Sequence, residues 1–189
     1  RGYLDLPRDS LGIEGFVVGG HTYMYFPPFP AVLRMPVLWA TDEFDGRLTV
    51  VSMLVAWIVF TVAAVALWRA GRRAVLGDTP TGRFEALVTV GSLAFVTGGT
   101  TMTFNASLPW VYHEVYSWAI ALSVASAYWL MRLYQEPRRR NLVIFGLFTA
   151  ATIMTRTPAG LGLVCGGLLV TLVWLYLELL RLLAKLQDR

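Results

Sequence analysis

The chain has 189 residues, of which 56% are hydrophobic and 15% charged, with a formal net charge of +4 and a mean hydropathy of +0.57. A soluble domain is roughly 25% charged, so this composition excludes one and points to a membrane protein. The excess charge sits in short arginine-rich connections between apolar runs and calls for no nucleic-acid partner.

Residues 1–47 precede the first long apolar run and are expected to form an outer-face loop. Within them, His21 to Pro36 reads HTYMYFPPFPAVLRMP and sets Tyr23, Tyr25, Phe26 and Phe29 among prolines at 27, 28, 30 and 36. Each proline removes a backbone donor and restrains the residue before it. The segment is therefore predicted to be shaped and semi-rigid, with a short juxtamembrane helix near 30–40. That helix would lie in the outer interface, bent near Pro36 and tethered by Arg34 and Trp39. Asp42, Glu43 and Asp45 lead into the first span.

Residues 48–68 carry no charge and, at ~1.5 Å per residue, are long enough to cross ~30 Å of hydrocarbon as a helix. A second span covers 84–103, with Glu85 at its edge and Gly, Ser and Thr residues that let helices approach closely. A third covers 108–131, with Ser107-Leu108-Pro109 as its cap and first-turn proline. Residues 141–155 are apolar but only about half a comfortable crossing, and they stop at Arg156-Thr157-Pro158. Residues 161–180 form a fifth segment of full length, and 181–189 a tail. The predicted fold is all-α, a polytopic transmembrane helix bundle with an outer loop and a juxtamembrane helix.

Arg69, Arg72, Arg73 and Arg83 follow the first span, Arg132, Arg138, Arg139 and Arg140 the third, and Arg181, Lys185 and Arg189 the fifth. Alternating segments put all three groups on one side, which the positive-inside rule makes the cytoplasm. Residues 1–47 then lie outside a plasma membrane. Arginine outnumbers lysine 15 to 1, which points to a GC-rich bacterial genome. An outer segment opening at Arg1 leads us to expect an earlier helix upstream, so that the sequence is a fragment. Cys165 falls inside the fifth run and is expected to be a packing residue.

The order Gly2-Tyr3-Leu4-Asp5-Leu6-Pro7, followed by Tyr23-Met24-Tyr25-Phe26-Pro27-Pro28-Phe29, resembles the first outer loop of GT-C glycosyltransferases of the protein mannosyltransferase and aminoarabinose transferase group. The likeness covers about the first forty residues, and the helix pattern behind it is compatible. It implies part of a GT-C fold that moves a sugar from a polyprenyl-phosphate donor to an acceptor on the outer face. Phe26 stands where the family has a lysine before Pro-Pro. The family's catalytic aspartate would fall upstream of Arg1.

Inverting sugar transfer needs a carboxylate to accept a proton and cationic or hydrogen-bonding groups to hold the departing phosphate. Glu114 and His113, one to two turns into the third span, are the catalytic candidates, although the helix dipole alone would favour a carboxylate there. Arg156, at the end of the short segment, is the candidate phosphate contact; the plainer reading is an arginine reaching headgroups or its own helix carbonyls. His21, Tyr23 and Tyr25 would contact phosphate or sugar, or anchor the loop at headgroup level. Asp5, Asp9 and Glu14 are acceptor-side or simply solvated. One histidine and one acid are too few for a metal site, and a divalent cation stays open as a cofactor. Expected partners are a polyprenyl-phosphate-linked sugar donor, membrane lipids, and the remainder of the chain or other membrane subunits. The alternatives are a non-catalytic membrane subunit, which predicts no pocket near Arg156 and His113, and a transporter component, which predicts polar residues along several spans.

Overall fold

The computed structural model describes residues 15–24, 28–41, 43–44, 47–108 and 111–187. The Gly2-to-Pro7 motif, Asp5, Asp9, Glu14, Tyr25, Phe26, Pro27, Asp42, Asp45 and Pro109 lie outside the described residues. So do the side chains of Phe16 and Tyr23.

The described residues open with a hairpin inside the segment expected to be the outer-face loop. Strands β1 (Gly15–Val18) and β2 (His21–Met24) pair antiparallel, with Val18 opposite His21 and Val17 opposite Thr22. Gly19 and Gly20 turn the chain at φ 60° and 85°, the positive values that a two-residue hairpin requires and that glycine alone adopts freely.

Helices make up nearly all the rest: α1 (Phe29–Ala40), α2 (Leu48–Leu76), α3 (Arg83–Gly98), α4 (Thr101–Ser107), α5 (Val111–Gln135), α6 (Arg139–Thr155) and α7 (Thr157–Gln187). The molecule is an all-α, multi-pass helical bundle as the apolar runs predicted. Among the described residues, three helical units are long and apolar enough to cross a membrane: Leu48–Leu76, Arg83–Ser107 and Thr157–Ala184. The third expected span, α5, has the length at 25 residues but carries His113, Glu114, Ser117, Ser123 and Ser126 and is not among these. Ser107, expected to cap it, closes α4 instead, with Leu108 as the C-cap.

The core lies between α2 and α5. Ala56 and Phe60 of α2 meet Trp118, Ala121 and Leu122 of α5, with Met102 of α4 in the same cluster, all buried. Alanines at the contact let the two backbones approach, and Trp118 Nε1 donates to Ser52 Oγ at 2.9 Å. These two helices run parallel: Ser52 meets Trp118 at one end, and Gln135 Nε2 donates to the Ala70 carbonyl at the other. The arginine-rich connections 69–83 and 132–140 thus share one end of the bundle.

Helices α3 and α4 return along α2, interrupted at Gly99 and Thr100. The Thr97 carbonyl at the break accepts from Trp57 Nε1 and Thr103 Oγ1, each at 2.9 Å. Helix α6 runs back against α5, where Thr149 Oγ1 donates to Ser126 Oγ at 3.4 Å. Buried Asn141 pins the α5–α6 turn by donating to the Arg132 and Glu136 carbonyls at 3.3 and 2.8 Å.

The α6–α7 junction is a single residue, Arg156, with extended backbone. It closes tightly because position 160 has no side chain: an added Cβ would lie 2.6 Å from the Ile153 nitrogen and 2.7 Å from its Cα. Gly160→Ala is therefore expected to destabilise the chain by about 1–3 kcal/mol through overpacking. Gly162→Ala, with nothing within 4 Å of the added carbon, serves as the control. A melting curve in detergent checks this, and equal midpoints for the two variants would disprove the tight junction.

Candidate functional site

Helix α1 lies across the ends of α2 and α5. Phe29 sets its ring edge-on to Trp118, with centroids 5.7 Å apart, and Pro30 is buried. Arg34, one turn beyond Pro30, shares that inner face. Its Nη2 donates to Thr49 Oγ1 at 3.1 Å and forms a short ion pair with Glu114 Oε2. The tethering role expected of Arg34 in the headgroups is thus replaced by an inward one. Trp39, 72% exposed, faces outward instead.

Glu114 heads the stripe of α5 that continues through Ser117, Trp118, Ala121 and Ala125, all buried. It is only 2% exposed, whereas the Arg34 side chain is 26% exposed. Glu114 Oε1, Arg34 Nε and Ser117 Oγ are buried without a hydrogen-bond partner among the described residues. Burying a carboxylate among core residues is costly without a partner, and the Arg34 guanidinium supplies that partner. The inward partners of Arg34, Glu114 and Thr49, are what the sequence reading did not foresee. The usable signal was the pairing of one cation on an apolar helix with one acid at the head of an apolar run.

Arg156 lies elsewhere. Its Cζ sits 3.9 Å above the centroid of the Tyr116 ring, and its backbone nitrogen donates to the Thr152 carbonyl at 2.7 Å. Tyr116 follows Glu114 by two positions, or about 200° around a helix, so the two lie on nearly opposite sides of α5. Arg156 and Glu114 therefore do not converge on one hollow, as sugar transfer between a held phosphate and a base would require. His113 places its ring edge-on to Phe104, with centroids 5.9 Å apart. His21 sits beside the hairpin turn and is exposed. Tyr23 is in β2 opposite Phe16, and Tyr25 is outside the described residues. Among the described residues no cluster of three or more His, Cys, Asp or Glu is placed to hold a metal ion.

The larger cavity, of about 820 Å³, lies between α2, α3 and α5 and is nearly all apolar, with Arg72 and Glu85 in its lining. A smaller one, of about 120 Å³, lies between α5 and α7 around Leu130, Tyr134 and Trp174. Neither is lined by Glu114, His113 or Arg156.

Fold and site together define a multi-pass membrane protein whose buried charges neutralise each other. A family model described as Bax inhibitor 1 like matches residues 161–188, a stretch confined to α7 and the residue after it. Comparison with curated proteins and with solved structures gives no match. The family that matches is a different membrane family from the GT-C glycosyltransferases. The resemblance drawn from Tyr23 to Phe29 is thereby overturned, and with it the transferase activity and the polyprenyl-phosphate donor. Phe26 in place of the family's lysine is the sequence feature that agrees with this outcome.

Removing one partner of the pair leaves the other charge stranded. Arg34→Gln and Glu114→Gln are each expected to cost about 2–4 kcal/mol, below the ~3–5 kcal/mol of a fully buried pair because Arg34 reaches solvent. The double variant should recover part of that loss. A double-mutant cycle on detergent melting curves measures it, and strict additivity would refute the coupling.

Proposed function

We propose that this chain is a non-catalytic subunit of a membrane assembly, built around a bundle whose juxtamembrane helix is fastened by Arg34 to Glu114. The observation that carries the reading is the closure of that pair. The buried carboxylate is engaged by the protein's own cation, and the arginine expected to hold phosphate lies on the other side of α5. The similarity of α7 to Bax inhibitor 1 like proteins supports a membrane role of a different kind from sugar transfer.

Helix α7 supports assembly with a further subunit. Leu168, Leu172, Leu175, Leu179 and Leu182 are all exposed and alternate in spacing between four and three residues. That spacing suits a helix-packing seam, on a helix whose neighbouring stripe of Leu169, Val173, Tyr176, Leu180 and Leu183 is exposed as well. By the positive-inside rule, the arginine-rich end carrying 69–83 and 132–140 faces the cytoplasm, and the hairpin and α1 face outward from a bacterial plasma membrane.

A transporter component is the second reading, favoured by the interruption between α3 and α4. It is weakened because the carbonyl at that break is satisfied by Trp57 and Thr103. Cysteine cross-linking in native membranes separates the readings. In a Cys165→Ser background, Leu172→Cys and Leu179→Cys are expected to cross-link to a neighbouring chain, while Leu177→Cys, off the seam, is not. Absence of seam-specific cross-links, together with ion flux in proteoliposomes that Glu114→Gln abolishes, would reverse the preference.

A further inference from the structure

Where α1 meets α5, three polar atoms are buried and have no hydrogen-bond partner among the described residues: Arg34 Nε, Glu114 Oε1 and Ser117 Oγ. Buried polar groups are costly to leave unpaired. The three are near neighbours. Nη2 of the same guanidinium is bonded to Oε2 of the same carboxylate, and Nε and Oε1 are each one covalent angle away from those bonded atoms. Ser117 follows Glu114 by three residues on α5, which puts their Cβ atoms about 5–6 Å apart on one helix face. Glu114 is 2% exposed and Ser117 0%, so bulk solvent does not serve these groups. Two hydroxyls of α2 at this end of the bundle are already engaged, Thr49 Oγ1 by Arg34 and Ser52 Oγ by Trp118.

Charge decides what fits among them. Arg34 and Glu114 cancel each other, so a further cation would meet the guanidinium unopposed and an anion the carboxylate. The groups left over are one donor, the Nε hydrogen, one acceptor, Oε1, and a hydroxyl that acts as either. A small neutral molecule that both donates and accepts is their complement. Buried water has that character and commonly makes about three hydrogen bonds to groups of this kind.

We propose that a single buried water molecule bridges Arg34 Nε, Glu114 Oε1 and Ser117 Oγ. The water accepts from Arg34 Nε and donates one hydrogen to Glu114 Oε1 and the other to Ser117 Oγ. Helix α1 is then fastened to α5 by a direct ion pair and a water-mediated contact side by side, and Ser117 holds the water in place. The Arg34 side chain, 26% exposed, sets the site one side chain away from solvent, which gives the water a route of exchange.

The sign of a single substitution tests this. A buried hydroxyl that bonds to a bridging water adds stability, whereas one with no partner costs stability and its removal helps. Ser117→Ala is therefore expected to lower the melting midpoint of the full chain in detergent by about 2–4 °C, the shift that one lost hydrogen bond produces in a chain of this size. The second readout is a structure of the full chain in lipid nanodiscs at a resolution that shows ordered water. One peak of density is expected within hydrogen-bond distance of all three atoms, and it should weaken in Ser117→Ala. A midpoint unchanged or raised in Ser117→Ala would overturn the proposal. So would density in which Arg34 Nε bonds directly to Glu114 Oε1, since the pair would then close on itself, or a peak at the short distances of a bound metal cation.

Discussion

Burial of Glu114 is the constraint around which this end of the molecule is arranged. The residue occupies a core-facing position on α5, directly above Ser117 and Trp118 in the stripe that packs on α2. An ionised carboxylate there is tolerable only beside a cation, and the cation comes from α1. Helix α1 is consequently held by specific contacts as well as by its apolar residues. Arg34 draws it down, Phe29 meets the edge of Trp118, Pro30 is covered, and Thr49 at the start of α2 shares the same guanidinium nitrogen. The Arg34 guanidinium thereby joins α1 to α5 through Glu114 and to α2 through Thr49.

The packing below that pair is uneven, and the unevenness has a chemical origin. Helices α2 and α5 meet through Ala56 and Ala121, whose small side chains let larger neighbours such as Phe60 and Trp118 interlock. Helix α3 faces α2 with Val88, Thr89, Ser92 and Val96 but buries none of them. It is held at its ends by the Arg72–Glu85 pair and the Trp57 bond instead of by a shared core. Polar fastenings at two points and no interdigitation between them leave an apolar cleft along the middle.

The helices were legible because apolar run length and arginine placement report directly on membrane crossing. Residues 48–68 lie within α2, and the connections 69–83 and 132–140 meet at one end as alternation required. The hairpin was also written in the sequence, in Gly19-Gly20 between Val17-Val18 and His21-Thr22, but proline content drew attention to the residues after it. The ion pair was not legible, since Arg34 and Glu114 are 80 residues apart and nothing local links them. Arg156 was read as a lone cation because its partner is the face of an aromatic ring, and Tyr116 has no charge to advertise. The divergence of Glu114 and Arg156 rests on that same contact, since it is Tyr116 that carries Arg156 to the other side of α5. Positions 114 and 116 of one helix cannot face the same way.

The two interruptions in the bundle bear on what kind of membrane protein this is. Broken helices build substrate or ion sites when the backbone groups freed by the break are left for the ligand to satisfy. At the α3–α4 break, Trp57 and Thr103 both donate to the Thr97 carbonyl, and Thr100 Oγ1 accepts from the Met102 nitrogen at 3.4 Å. At the α6–α7 junction, the Arg156 nitrogen bonds to the Thr152 carbonyl and the Gly160 nitrogen to the Arg156 carbonyl at 3.1 Å. The hydroxyls of Thr152 and Thr155, buried beside this junction, return to carbonyls four residues back on their own helix. The donors and acceptors named at both breaks are therefore met from within the protein. Interruptions satisfied in this way act as corners that let short helices turn within the bundle, which favours a structural over a transporting role for this chain.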